Sequence, residues 1–179
     1  MIKKYIAFLR GINVGGNNKV EMSKLKSMFE EMDYTNVITY INSGNVIFDA
    51  TSNDTDIIAD QIESKLNETF GFQVGVVVRD VANVNNICKK TPDDWTEDKV
   101  QRTYVLFLLN EFDNKEVTKH LNAVPGVDNI LHVEGAIIWN MRKADYHKSG
   151  MKNLIGTPLY KGSTARNINT VRKLSEMCK

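Results

Sequence analysis

A chain of 179 residues can form one domain or two small ones with a sizeable core, and its 42% hydrophobic and 25% charged content is ordinary for a globular protein in water. The longest apolar runs, such as Tyr104 to Leu109, are far too short to cross a bilayer, which excludes a membrane-spanning helix and leaves no membrane partner expected. The net charge of +1 conceals a segregation: residues 1–27 carry +5, residues 142–179 carry +7, and the stretch between them carries −11.

If the two basic ends meet in space they make a face that attracts anions; scattered over solvated surface, the same lysines mean nothing in particular. The N-terminus, Met1-Ile2-Lys3-Lys4-Tyr5, enters a strand pattern directly and lacks a signal-peptide apolar region, so the expected location is cytoplasmic. Cys88 and Cys178 each lie in a helical apolar pattern and read as buried, reduced thiols.

Tyr5-Ile6-Ala7-Phe8-Leu9 is a short continuous apolar run, as in a central strand. A loop rich in glycine follows, Arg10-Gly11-Ile12-Asn13-Val14-Gly15-Gly16. Met22, Leu25, Met28, Phe29 and Met32 then fall at helical spacing, with Ser23 as a candidate cap. That methionine-rich stripe reads as core rather than as a cofactor box. Val37–Ile41 and Val46–Phe48 are strand-like, and Asn42-Ser43-Gly44-Asn45 between them is a hairpin signal. Ile57, Ile58, Ile62, Leu66 and Phe70 mark a second amphipathic helix, Val74 to Val78 a further strand, and Val81, Val84, Ile87 and Cys88 a helix after it. Thr91 to Asp98 breaks the pattern with proline and acids and reads as a solvated boundary, dividing the chain into 1–92 and 93–179.

The second half echoes the first. Tyr104–Leu109 matches the first strand, a short helix runs through Val117 and Leu121, and Asn129–Trp139 with Gly135 matches the first hairpin. No last strand is evident in this copy; Gly162 to Asn167 reads as a loop, with Ser163 or Thr164 capping a closing helix through Ile168, Val171, Leu174 and Cys178. The expected fold is therefore α+β: two ferredoxin-like βαββαβ halves by internal duplication, the second incomplete and ending in C-terminal helices.

In that topology the first two strands run parallel, so the Arg10–Gly16 loop and the Asn42–Asn45 turn share one edge. The edge offers an arginine fork, glycine amides able to converge on an anion, and the start of the helix near Met22. Phosphate or carboxylate is the natural guest, although the same residues would also serve merely to close tight turns. Gly11, Gly15 and Gly16 do not fit G-x-G-x-x-G and no G-K-[ST] follows, so Rossmann and P-loop assignments fail. His120, His132 and His147 lack metal-ligand spacing, and Asp54-Thr55-Asp56 lacks the rest of an EF-hand loop. No G-x-S-x-G elbow surrounds Ser43. Neither cofactor nor metal is implied.

Phe8-Leu9-Arg10-Gly11-Ile12-Asn13-Val14-Gly15-Gly16, Tyr40-Ile41-Asn42-Ser43-Gly44-Asn45-Val46 and Thr164-Ala165-Arg166-Asn167 together resemble the bacterial family known as domain of unknown function 1697. Lys19-Val20-Glu21-Met22 and Thr170-Val171-Arg172-Lys173-Leu174 resemble it too, with Glu21 where proline is commoner. The resemblance implies a pair of ferredoxin-like units, and it matches the family's characteristic residues to Arg10, Gly11, Asn13, Gly15, Gly16, Ser43, Gly44, Asn45, Thr164, Arg166 and Asn167. Three functions remain open. In a binder of a phosphate-bearing small molecule or RNA, Arg10 and Arg166 would contact phosphate while Asn13, Asn45 and Asn167 orient it. An enzyme acting on a small anionic substrate would use the same clamp, but no His or carboxylate base belongs to the cluster. An interaction or regulatory protein would need these residues only for its fold.

Overall fold

The computed structural model describes residues 1–179, which divide into two compact units, Met1–Val81 with Cys178 and Ala82–Met177 with Lys179. The architecture is mixed α+β, with two four-stranded antiparallel sheets and several helices. No helix is long and apolar enough to cross a membrane.

The first unit runs β1 (Lys3–Leu9), α1 (Met22–Glu31), β2 (Thr35–Tyr40), β3 (Asn45–Ala50), α2 (Thr55–Phe70) and β4 (Val76–Asp80), with its strands ordered β2-β3-β1-β4. Residues alternate across a strand, so Tyr5, Ala7 and Leu9 share one face of β1 and pack on Leu25 and Phe29 of α1 and on Ile58, Ile62 and Leu66 of α2. Phe48 gathers Tyr5, Phe29 and Tyr34 around it, at ring separations of 5.9, 5.2 and 4.7 Å. A large apolar side chain buried in this way contributes about 1.5–3 kcal/mol. Met28 is buried, and Met22 and Met32 pack on the same core. Ile57 falls off the stripe and is half exposed.

Asp54 caps α2 by accepting hydrogen bonds from the Asp56 and Ile57 amides, at 2.9 and 3.1 Å. No equivalent cap closes α1. Its N-cap is Glu21, without a side-chain bond to the helix, and Ser23 donates to the Glu21 carboxylate instead of capping.

The second sheet comprises β5 (Gln101–Leu108), β6 (Asn129–Val133), β7 (Ala136–Arg142) and β8 (Ser163–Asn167), ordered β6-β7-β5-β8. The helices α3 (Val81–Lys90), α4 (Pro158–Lys161) and α5 (Ile168–Met177) accompany it. Leu106, Leu108, Ile137, Trp139 and Met141 form its core with Val117, Leu121, Leu154 and Leu159.

Three expectations are corrected here. The fourth strand is present: Ser163–Asn167 pairs with β5 from Tyr104↔Asn167 to Leu108↔Ser163. Ser163 and Thr164 therefore lie in a strand, and the cap of α5 is Asn167, whose Oδ1 accepts from the Thr170 amide at 2.9 Å. Between β5 and β6 the chain forms short 3-10 turns, Asn110–Phe112 and Val117–His120, in place of an α-helix. The segment from Pro92 to Val100, whose acids Asp93, Asp94 and Asp98 are solvent-exposed, is fastened by its own hydrogen bonds. Asp98 accepts from Thr96 Oγ1 and from the Val100 and Gln101 amides, at 2.6, 2.7 and 2.8 Å, and these bonds hold its carboxyl at about 2. Cys88 and Cys178 are half-buried and unbridged, and burial raises both thiols above their ordinary range.

Candidate ligand-binding site

The loop joining β1 to α1 is organised by one side chain. Asn13 Nδ2 donates to the carbonyls of Val20 and Asn42, at 3.0 and 2.9 Å, and its Oδ1 accepts from the Val20 amide at 2.8 Å. Asn13 sits at φ 54°, a left-handed conformation that asparagine tolerates better than most residues. Its own amide donates to the Asn18 carbonyl, and Asn17 closes a small bridge onto Val14. At the tip, Gly15 and Gly16 have φ 59° and 78°, and a Cβ on either would meet nothing within 4 Å. Backbone conformation, not crowding by the protein, is what requires glycine there.

The hairpin turn lies beside this loop, as the topology requires. Leu9 N donates to Gly44 O at 2.8 Å. Gly44 presses on the loop's base: a Cβ there would stand 2.7 Å from Ile12 Cδ1 and 2.8 Å from Leu9 Cβ. Asn45 is completely buried and ties the turn together, donating to Tyr40 O at 3.0 Å and to Ser43 Oγ at 3.1 Å. Arg10 is half-buried, with its amide bonded to Gly75 O and its stem running past Gly75.

The structure thus brings together Arg10, Gly11, Asn13, Gly15, Gly16, Ser43, Gly44 and Asn45. Within that group, Asn13 and Asn45 spend their amides on the protein backbone and on Ser43, and Gly44 is needed for packing. Gly11, Gly15, Gly16 and Ser43 are exposed, and Arg10 is half-buried beside them.

Thr164, Arg166 and Asn167 belong to the second unit and serve a different end. Arg166 is buried in β8, and its Nη1 donates to Thr164 Oγ1 at 3.0 Å and to Ala165 O at 2.8 Å. Burial alone pulls its guanidinium down to about 10. Asn167 is spent on the α5 cap.

Sequence reasoning missed several polar anchors. Arg79 in β4 is buried and donates to Val78 O at 2.9 Å; the only sign of it is a charge placed directly after Val76-Val77-Val78. Asp128 accepts four hydrogen bonds, from Trp139 Nε1, Ser149 Oγ and the amides of Val124 and Gly150. Asp113 holds His132 Nε2 at 2.7 Å and also accepts from the Gly135 amide, so the pair secures the β6–β7 turn. No group of three or more His, Cys, Asp or Glu side chains is placed to hold a metal ion.

Residues 2–139 match the family model described as "Protein of unknown function (DUF1697)". The chain is also similar to the solved structure of the conserved bacterial protein SP0830 from Streptococcus pneumoniae, with 25% identity, a TM-score of 0.84 and 100% of each chain covered. No match to a curated protein was found. The family match contains the loop and the hairpin turn and stops before Thr164, Arg166 and Asn167.

Proposed function

Since the chain belongs to the DUF1697 family of proteins of unknown function, we propose its role from its own geometry: the Arg10–Gly16 loop binds a phosphate-bearing or other anionic ligand of the nucleotide or RNA class. The observation that carries this reading is that the loop is already shaped. Asn13 fixes it with three hydrogen bonds, and Gly15 and Gly16 hold positive φ at a tip with open space around it. Binding to such a loop costs little ordering. Arg10 supplies the charge, the Gly15 and Gly16 amides supply neutral donors, and the uncapped start of α1 leaves helix amides in the same loop region. Asn13 and Asn45 hold the frame.

We further read the two units as copies of one ferredoxin-like βαββαβ unit. The strand orders correspond, and three contacts recur: Leu9 N to Gly44 O with Leu108 N to Gly135 O, Arg10 N to Gly75 O with Leu109 N to Gly162 O, and Arg79 to Val78 O with Arg166 to Ala165 O. The position of Arg10 is taken by Leu109 in the second copy, and no glycine-rich loop follows it. A feature kept in one copy beyond the needs of the shared fold supports a ligand role for that loop.

The test is fluorescence anisotropy of a labelled single-stranded RNA across a series of salt concentrations, with Arg10→Ala alongside. The expected result is an affinity falling linearly in log salt, with the variant weaker by about tenfold. No binding at low salt removes the RNA reading, and equal binding by Arg10→Ala removes the loop.

A further inference from the structure

The strand ends at the start of β5, the start of β6 and the close of β7 frame a cleft of about 300 Å³ in the second unit, lined by Asp94, Trp95, Gln101, Asn129, Asn140 and Arg142. That volume is at the small end of ligand pockets. One wall is the segment before β5, which is fixed by its own hydrogen bonds: Trp95 N to Pro92 O at 3.0 Å, the three bonds to Asp98, and Thr103 Oγ1 to Thr96 O at 2.8 Å. That wall is therefore held in place by the protein's own bonds.

Its floor is a ladder of carboxamides. Asn140, only 4% exposed, donates through Nδ2 to Gln101 Oε1 and Thr103 Oγ1, both at 2.8 Å. Its Oδ1 accepts from Asn129 Nδ2 at 3.1 Å. These bonds assign the two outer amides. Gln101 has its oxygen occupied and its NH2 left to donate, whereas Asn129 has its NH2 engaged and its oxygen left to accept. The ladder thus offers a donor on Gln101 and an acceptor on Asn129, one on each side of Asn140, a polar pair suited to a flat heterocycle that carries both acceptors and donors on its rim. Trp95 adds an indole on which a flat ring can stack. Arg142 and Asp94 carry opposite charges, so the cleft as a whole does not select for strong anions.

We propose that this cleft binds a nucleobase, stacked on Trp95 and hydrogen-bonded by Gln101 and Asn129. It is separate from the glycine-rich loop and does not depend on it, since a nucleoside carries no phosphate. The base comes either from a free nucleoside or from single-stranded RNA, and the two sources are separable.

The chain carries its own reporter. Of its two tryptophans, Trp95 lines the cleft, whereas Trp139 is fully buried with its indole N–H on Asp128. Titrating the full chain with adenosine, guanosine, cytidine and uridine into the millimolar range, and separately with a single-stranded RNA oligomer, should give saturable quenching of Trp95. Asn129→Ala should weaken that binding by about five- to tenfold, the worth of one hydrogen bond. Calorimetry on Trp95→Leu should show the stacking loss directly. Binding by nucleosides with loss in both variants supports a free-nucleoside site, and binding by RNA alone with the same losses supports an RNA base. Absence of saturable quenching in both titrations overturns the proposal, as does an affinity in Asn129→Ala within twofold of the parent.

Discussion

Replacing Asn13 with alanine removes three hydrogen bonds at once and places a Cβ-bearing side chain without polar groups at φ 54°. Val20 is only 4% exposed, so its backbone groups lose their partners where water reaches poorly. A buried group left unsatisfied costs about 1–3 kcal/mol, and the better-solvated bond to Asn42 adds about 0.5–1 kcal/mol. Alanine in the left-handed region adds about 1 kcal/mol. With about 1 kcal/mol for each of the two Val20 groups, the expected destabilisation is about 4 kcal/mol, and Asn13→Gly, which escapes the conformational term, should lose about 3 kcal/mol. Urea unfolding of the three proteins measures both figures, read on the transition that reports the first unit. A loss below about 1 kcal/mol for Asn13→Ala would refute the assignment, since the amide would then be free to orient a ligand.

Arg166→Ala should destabilise by about 2–3 kcal/mol, because a buried, hydrogen-bonded side chain is lost, while Arg10→Ala should cost less than about 1 kcal/mol by thermal unfolding. Equal small losses would return Arg166 to the surface. Burial works to raise the Asp128 carboxyl, but the bonds from Ser149, Trp139 and the Val124 and Gly150 amides outweigh it and hold the group below its ordinary range. A carboxyl lowered in the folded state contributes stability above its unfolded value, near 3.9, and loses it as pH falls through the folded value. Asp128→Asn should therefore cost about 2–3 kcal/mol at neutral pH and flatten the decline in stability on acidification; an unchanged acid limb would show that Asp128 does not contribute to it.

What the sequence made legible was local and periodic. The run from Tyr5 to Leu9, the stripe from Met22 to Met32 and the turn at Asn42–Asn45 each announce themselves through apolar spacing or turn chemistry, and topology then sets the loop beside the turn. β8 escaped because Ser163-Thr164-Ala165-Arg166-Asn167 has no apolar alternation; its pairing with β5 and the burial of Thr164 and Arg166 come from tertiary contacts. The residues between β5 and β6 escaped for a related reason, since Pro125-Gly126 and short turns replace any sustained period. At the site, residue types marked out the loop but could not divide labour within it. Asn13 and Arg10 look alike as polar members of a motif, and only the partners of Asn13 reveal that it builds the loop. Asn140 carried no signal at all, because its role depends on Asn129 across the β6–β7 hairpin and on Gln101 in β5, which strand pairing brings to it.

The Asn13–Val20 clasp also changes what kind of segment this is. It cuts the connection between β1 and α1 into a short ring, closed at its neck, whose tip from Val14 to Asn17 has no part in the packing of the sheet. Closure entropy grows only logarithmically with chain length, so doubling such a tip costs about 0.6 kcal/mol. Residues added or exchanged beyond the neck would leave β1 and α1 where they are. The tip can therefore vary in length and chemistry without passing strain to the fold, which is the freedom a recognition element needs to diverge while its scaffold stays constant.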